Sequence, residues 1–263
     1  MRSSHKRGLV CKMVRGIEKQ KIRKWSVKAM GRAGVWAAVV LALGLGLGNG
    51  GENGMMQEAN AKTYAQIAET FEQFGVTGAN EEMLASLEEG YAELPPEVIF
   101  SKEGNLLSVL GMGEFDPNDI WLWEPGKNGV YSFDVEVFDE QRMYTNFLRG
   151  VSALDSEALC FENIREDTSG MNEEEGTGTR TVSFDWHGQT FELEANVYGD
   201  WFDLGVADAL NAIIKARETG KQLYFTSDGY QECVVFYREP EWAEAFQRAT
   251  GMELSPMCEA SEE

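Results

Sequence analysis

Between residues 62 and 254, the alternation of apolar and polar positions predicts a succession of strands and helices. In 130–138, aromatic and valine side chains alternate with serine and acidic ones, which is the two-residue period of a strand with one face in water. The same period in 182–186 and 191–197, on either side of a turn at His187-Gly188-Gln189, predicts a hairpin. Further strands are predicted at 120–123, 159–164, 223–226 and 233–237.

Helices are predicted where apolar residues recur every three to four positions. Thr63 opens the capping pattern T-x-x-Q, Asn80 precedes a second helix, and Pro240 suits the first position of the last one. Asp200 or Asp203 is available to cap the most strongly patterned helix. The predicted helices cover 64–74, 81–94, 143–154, 203–217 and 240–250.

Two stretches have no clear period. Residues 98–113 are compatible with short strands or with a helix followed by a strand, and Gly111-Met112-Gly113 is too short for a phosphate-binding loop. Residues 167–179 lack any apolar period and are predicted to form a flexible acidic loop. We therefore predict no cofactor.

The order of these elements predicts the α+β class, an antiparallel sheet with helices packed on one face. Strand, helix and strand follow one another twice, which suggests two β-β-α-β-like halves within 98–254. The helices of 62–97 are predicted to form a helical hairpin, either docked on this domain or holding it off a membrane. Residues 255–263 are predicted to be an acidic, disordered tail.

A different pattern precedes residue 62. Residues 33–48 carry no charge, which is typical of a signal-peptide core or a short anchor, although sixteen residues are few for a bilayer that needs about 17 to 25. Residues 1–32 hold eleven Lys or Arg against one acid, Glu18. By the positive-inside rule this end stays in the cytoplasm, so the body is exported and 33–48 enters the membrane at least transiently.

The processing of this leader, 1–61, is left open by the sequence. The triplet Ala59-Asn60-Ala61 resembles a signal-peptidase site, but it lies far from the apolar segment. Met13 and Met30 are alternative starts. The basic run is also compatible with a tail that binds nucleic acid or anionic lipid.

Charge separates the leader from the body. The whole chain has a formal charge of −21, and without the charged residues of 1–32 it retains 12 Lys and Arg against 43 Asp and Glu, a formal charge of −31. Such a surface repels phosphate backbones, so we expect no nucleic-acid binding by the body. The acidic surface serves solubility or attracts cations and basic partners, but it contains no EF-hand spacing.

Cysteine spacing indicates no metal site. The body has Cys160, Cys233 and Cys258, without a C-x-x-C pair or a nearby histidine. Cys160 and Cys233 lie in apolar, strand-like runs, where buried free thiols are expected. A disulfide between them is the alternative for an exported body.

Catalytic chemistry has little support in the sequence. The histidine of the body, His187, lies in a hairpin turn, so a triad is not indicated. A carboxylate-dependent hydrolase of cell-wall sugars would need two acids in a cleft, and these are sought among Asp200, Asp203, Asp228 and Glu232. Capping is the simpler role for the first two.

Aromatic side chains provide the binding candidates. Trp121 and Trp123 share one face of a strand, and Trp186, Trp201 and Phe202 flank the second hairpin and the helix after it. If exposed, they would stack on sugars or hold a peptide; otherwise they belong to the core. We select as candidate binding residues Trp186, Trp201, Phe202, Asp203 and Asp228.

The sequence thus predicts an exported or membrane-tethered acidic α+β domain that binds an unknown protein or cell-surface ligand and has no recognisable catalytic motif. The wall-sugar hydrolase is the enzymatic alternative. A third alternative is an intracellular protein whose true start lies beyond the apolar segment.

Overall fold

The structure, a computed structural model, describes residues 62–94, 101–172, 174–217, 219–227 and 231–258. The predicted leader, the apolar segment 33–48 and Asp228 lie outside the described residues. Within them the fold is mixed α+β with antiparallel sheets, as the residue patterns predicted. The α-helices of the described part are α1 (Tyr64–Gln73), α2 (Glu81–Ala92), α3 (Lys102–Gly111), α4 (Met143–Leu154), α5 (Leu204–Lys215) and α6 (Pro240–Thr250).

The strands of the described part belong to separate antiparallel sheets. They are β1 (Glu114–Asp116), β2 (Asp119–Glu124), β3 (Tyr131–Asp134), β4 (Glu162–Asp167), β5 (Met171–Asn172), β6 (Thr177–Trp186), β7 (Gln189–Asn196), β8 (Gln222–Ser227) and β9 (Glu232–Arg238). β1 and β2 form a hairpin, and β9 lies between β3 and β8 in a second sheet. In the third sheet β6 pairs with β4, β5 and β7.

The helices begin at residues that satisfy their free backbone N–H groups. Thr63 and Gln66 form a reciprocal capping box at α1, and the side chain of Asn80 accepts the N–H of Met83 at α2. Asp203 caps α5 by accepting the N–H of Gly205. These predicted starts are confirmed, and Ser101 starts α3, where the sequence had left helix and strand open.

Strand β9 is covered on both faces. Val235 and Tyr237 point into a hydrophobic cluster shared with α4 and α5. Phe236, on the opposite face, packs against Trp242 and Phe246 of α6 at ring-centroid distances of 5.3 Å. The sheet of β3, β9 and β8 is therefore a layer between two groups of helices.

The helices α4 and α5 lie between this sheet and the sheet of β4, β6 and β7. Phe147 of α4 and Leu210 of α5 share their buried cluster with Val235 of one sheet and with Phe184 and Leu193 of the other. The sequence predicted a single sheet with helices on one face, whereas each of these helices connects strands of different sheets. The reason is that their apolar surfaces are wide enough to need cover on two sides.

The acidic stretch 167–179 differs from the predicted flexible loop because it contains β5 and the start of β6. Met171 pairs with Gly178, whose φ of 113° is accessible to glycine. A Cβ at Gly178 would lie 2.2 Å from the carbonyl oxygen of Gly170. Backbone pairing, which leaves no apolar period in the sequence, therefore orders this segment.

The start of the predicted tail is also paired with the domain. Ser255 and Phe225 exchange two backbone hydrogen bonds of 2.7 and 2.9 Å. The side chain of Asn211 in α5 donates to the carbonyl oxygen of Pro256 at 2.8 Å. Residues 252–258, the C-terminal segment, are thus held on β8 and α5.

Candidate binding surface

Strand β2 carries two tryptophans on one face, of which Trp123 is buried and Trp121 is exposed. Trp123 is buried, stacks obliquely on Tyr131, and donates its indole N–H to the carbonyl oxygen of Met112 at 2.7 Å. Trp121, two residues earlier, is 49% exposed. Its ring lies parallel to that of Phe138 at a centroid distance of 4.9 Å. A stacked pair that is largely in water offers flat apolar area without a covering partner.

The chain just before Phe138 is held by backbone pairing, although the side chain of Phe138 is not buried. The chain beyond β3 runs beside 200–202, where the N–H of Val137 donates to the carbonyl oxygen of Asp200 at 2.7 Å. The N–H of Phe202 donates to the carbonyl oxygen of Val135 at 2.8 Å. Phe138 is 66% exposed although its neighbours in sequence are paired.

Two further exposed aromatic residues, Tyr198 and Trp201, lie where residues 198–202 pair with the chain before Phe138. Tyr198 and Trp201 form an antiparallel bridge across a turn that contains Gly199, with a φ of 69°. Trp201 also bridges to Glu136, so this turn adjoins the chain that carries Phe138. Tyr198 is 59% exposed and Trp201 41%. We call Trp121, Phe138, Tyr198 and Trp201 the aromatic surface.

Exposed carboxylates lie in the same segments as the aromatic surface. Glu114, Asp116 and Asp119 are exposed on the β1–β2 hairpin, and Glu136 is exposed beside Trp201. The guanidinium of Arg142 also lies here, but it donates to the carboxylate of Asp139 at 2.7 Å and to the carbonyl oxygen of Trp121 at 2.6 Å. The arrangement combines apolar rings with a negative rim, which is suited to a ligand that is both cationic and apolar.

The binding candidates chosen from the sequence occupy contrasting positions. Trp201 belongs to the aromatic surface, whereas Phe202 is buried at 4.8 Å from Phe133 and 4.9 Å from Phe147, measured between ring centroids. Trp186 is buried and donates its indole N–H to the carbonyl oxygen of Ala158 at 2.9 Å. The structure does not bring Trp186 to the aromatic surface through any described contact, and Asp228 lies outside the described residues.

Asp203 has the contacts of a capping residue. Its Oδ2 accepts the backbone N–H of Asn196 at 2.6 Å and the side-chain amide of the same residue at 3.0 Å. Its Oδ1 accepts the N–H of Gly205 at 3.0 Å.

The other residues considered for catalysis lie elsewhere in the fold. Glu232 lies on β9 opposite Asp134, and Asp200 lies in the turn before Trp201. His187 is exposed in the β6–β7 turn with a φ of 49°.

A buried ion pair was not anticipated from the sequence. The side chains of Glu166 on β4 and Arg180 on β6 are each 5% exposed, and their closest nitrogen and oxygen are 2.7 Å apart. The other oxygen of Glu166 accepts the N–H and the hydroxyl of Thr145 at 2.7 and 2.8 Å. Glu166 thereby caps α4, whose own N-cap residue, Arg142, makes no side-chain cap.

Further contacts link the ion pair to Asp203 at the start of α5. The Arg180 guanidinium donates to the carbonyl oxygen of Glu140 at 2.6 Å and lies 5.7 Å from the ring centre of Tyr144. The Tyr144 hydroxyl accepts the N–H of Asp203 at 3.2 Å, and burial raises the pKa of this tyrosine to about 12. We call Glu166, Arg180, Tyr144 and Asp203 the buried polar network. The only sign of this network in the sequence is that an arginine, Arg180, occupies an inward-facing position of β6.

The aromatic surface is the candidate site that the described residues provide. Among them, no group of three or more His, Cys, Asp or Glu side chains is placed to hold a metal ion. Within the same ranges, no helix has the length and apolar character required to cross a bilayer. No known protein family, curated protein or solved structure matches this chain.

Proposed function

We propose that this chain is an exported or membrane-tethered, acidic α+β binding domain whose ligand is a protein segment carrying both basic and apolar side chains. The observation that carries the proposal is the aromatic surface. Trp121, Phe138, Tyr198 and Trp201 are each more than 40% exposed and lie on, or next to, paired backbone. Trp121 stacks on Phe138, and the backbone of Trp201 bridges to Glu136, two residues before Phe138. Exposed apolar side chains grouped in this way are typical of an interaction site.

The choice of a basic ligand rests on charge. The body has a formal charge of −31 outside residues 1–32, and exposed carboxylates of the β1–β2 hairpin adjoin Trp121. Lysine and arginine gain from these carboxylates and from the faces of the aromatic rings, and apolar side chains gain from covering the rings. A phosphate-rich ligand would be repelled by the same rim.

The location rests on the leader. Its eleven basic residues before an uncharged apolar run support export of the acidic body with the basic end left in the cytoplasm. Fractionating cells and sequencing the mature N-terminus tests this part. A product that begins near Lys62, or a full-length product in the membrane fraction, agrees with it. Intact full-length chain in the cytosol contradicts it. A cytosolic product whose N-terminus is a methionine beyond residue 48 favours the intracellular alternative.

The binding surface is tested by calorimetric titration of the purified protein with a peptide of alternating lysine and leucine. We expect Trp201→Ala and Phe138→Ala each to weaken binding by about 30-fold, the equivalent of roughly 2 kcal/mol for an aromatic anchor. Met257→Ala is the matched control because Met257 is 51% exposed and lies in the C-terminal segment. It should bind the peptide as the wild type does.

A glutamate–leucine peptide and a cell-wall oligosaccharide test whether the surface selects basic peptides. A peptide of alternating glutamate and leucine should bind far more weakly, and added salt should weaken binding of the lysine peptide. Equal affinity for both peptides, or equal losses in Trp201→Ala and Met257→Ala, contradicts the proposal. Saturable binding of a cell-wall oligosaccharide at Trp201, without peptide binding, would assign the rings to sugar stacking instead.

A further inference from the structure

The C-terminal segment brings a second cysteine to the buried Cys233. Cys258 is half-buried, and its backbone N–H donates to the carboxylate of Asp208 on α5 at 2.6 Å. Two residues earlier, Pro256 accepts a hydrogen bond from Asn211 of the same helix. Backbone pairing of Ser255 with Phe225 fixes the direction of the segment. The position of Cys258 is therefore set by several independent hydrogen bonds.

The thiols of Cys233 and Cys258 are neighbours. Their Sγ atoms are 3.3 Å apart, and Cys160, at the end of the chain that leads into β4, is exposed. All three are free thiols in the structure, so the predicted alternative of a Cys160–Cys233 bridge is not formed. Formation of a bond between Cys233 and Cys258 requires their sulfurs to approach by little more than 1 Å, because S–S bonds measure about 2.0 Å.

We propose that Cys233 and Cys258 are a thiol pair that oxidises to a disulfide and fastens the C-terminal segment to the domain. The bond would join β9 to the segment held on β8 and α5. This inference does not depend on the proposed binding function, because it uses neither the aromatic surface nor any ligand.

The chemistry is thiol–disulfide exchange with a small disulfide such as oxidised glutathione. The thiolate of Cys258, the more accessible of the pair, attacks one sulfur of this oxidant, and the first glutathione leaves as a thiol after taking up a proton. The sulfur of Cys233 then releases its proton to solvent and attacks Sγ of Cys258, which expels the second glutathione. Two protein thiols lose two electrons, and the oxidant is reduced to two thiols.

The two cysteines have different roles in this sequence of steps. The hydrogen bond with Cys258 and, after it, burial raise the pKa of the Cys233 thiol well above its usual value. Cys233 therefore stays protonated and unreactive until the mixed disulfide lies beside it. Direct oxidation of Cys233 by solvent-borne reagents is disfavoured for the same reason.

The test uses the full-length protein in its folded state. It is incubated with oxidised glutathione, remaining thiols are alkylated, and the unreduced protein is digested and analysed by mass spectrometry. We expect a cross-linked peptide pair containing Cys233 and Cys258, lighter than the two thiol peptides by two hydrogen atoms. Cys160 should not take part in any cross-link between cysteines of the body. Cys160→Ser is the matched control and should form the same cross-link.

A second readout measures the C-terminal segment directly. Because a cross-link restricts opening of the segment, we expect limited proteolysis within 252–258 to be about tenfold slower in the oxidised protein than in the reduced protein. Cys258→Ser should show no difference between the two conditions. Stable glutathione adducts on Cys258 without closure, a Cys160–Cys233 product, or equal proteolysis of oxidised and reduced protein would each overturn the proposal.

Discussion

The buried polar network and the aromatic surface reverse the usual distribution of polar and apolar groups. Glu166 and Arg180 are charged but almost inaccessible, whereas Trp121 and Trp201 are large and aromatic but exposed. The difference between them lies in their partners. Both oxygens of Glu166 accept hydrogen bonds from described groups, whereas the exposed ring of Trp121 stacks on the ring of Phe138, which is also exposed.

The two regions differ in how the cost of their unusual placement is offset. Burying two charges costs several kcal/mol each, and good geometry with further hydrogen bonds is required to offset that cost. In the network this offset is internal, since Glu166 caps α4 and Arg180 reaches the carbonyl oxygen of Glu140. The aromatic surface has no comparable internal compensation in the described residues. This contrast is the reason why we propose that a ligand covers the aromatic surface.

The largest expected effect follows removal of one charge from the network. Glu166→Ala leaves Arg180 buried without its carboxylate and α4 without its cap, so we expect a loss of about 3 to 5 kcal/mol in the free energy of unfolding. Urea denaturation followed by circular dichroism measures it. Glu192→Ala is the matched control, because Glu192 is an exposed carboxylate on β7 and should change stability by less than about 0.5 kcal/mol. If both variants lost a similar free energy of unfolding, the buried ion pair would not have the stabilising role that we assign to it.

A smaller effect is expected from pH. Burial raises the pKa of Tyr144 to about 12, so between pH 10 and 12 the unfolded chain loses this proton while the folded chain keeps it. Stability therefore declines as pH rises through this window. Below pH 10 the ionisation of Tyr144 has no effect on it, because the tyrosine is protonated in both states. A shift of about two pKa units sets an upper limit of roughly 3 kcal/mol.

The measurement is the free energy of unfolding of wild type and Tyr144→Phe between pH 9 and 12. The variant loses a constant amount, because the N–H of Asp203 loses its acceptor, but it should decline less steeply in this window. Tyr64→Phe should behave in the same way, since burial raises the pKa of Tyr64 to about 12 as well. Parallel curves for wild type and both variants would show that these hydroxyls are solvated in the folded protein.

The smallest effect should occur on the aromatic surface. Tyr198→Ser leaves the buried cluster intact, so we expect a change in the free energy of unfolding within about 0.5 kcal/mol in the absence of ligand. Trp186→Ala, in contrast, removes a fully buried indole and should cost about 3 to 5 kcal/mol. Thermal denaturation of both variants measures the difference. A large loss in Tyr198→Ser would mean that this ring is structural.

Local elements were readable from the sequence because their signals are local. The T-x-x-Q pattern at Thr63 and the cap at Asp203 act over one helical turn, and the strand period of 182–186 reports a single buried face. The pairing of β5 could not be predicted in this way, because the backbone hydrogen bonds that join Met171 and Gly178 leave no apolar pattern in the sequence. The candidate site was only partly predictable: Trp201 was chosen, but Phe138 and Tyr198 were not.

The sequence by itself determined the helices other than α3, most strands, the α+β class and the contrast between a basic leader and an acidic body. Tertiary structure decided which tryptophans are exposed, because Trp121 and Trp123 share a strand face and differ in what covers them. It also decided which acid is buried with an arginine and which cysteine meets Cys233. These pairings join residues distant in the chain, and their energies depend on packing and desolvation that appear once the layers are assembled.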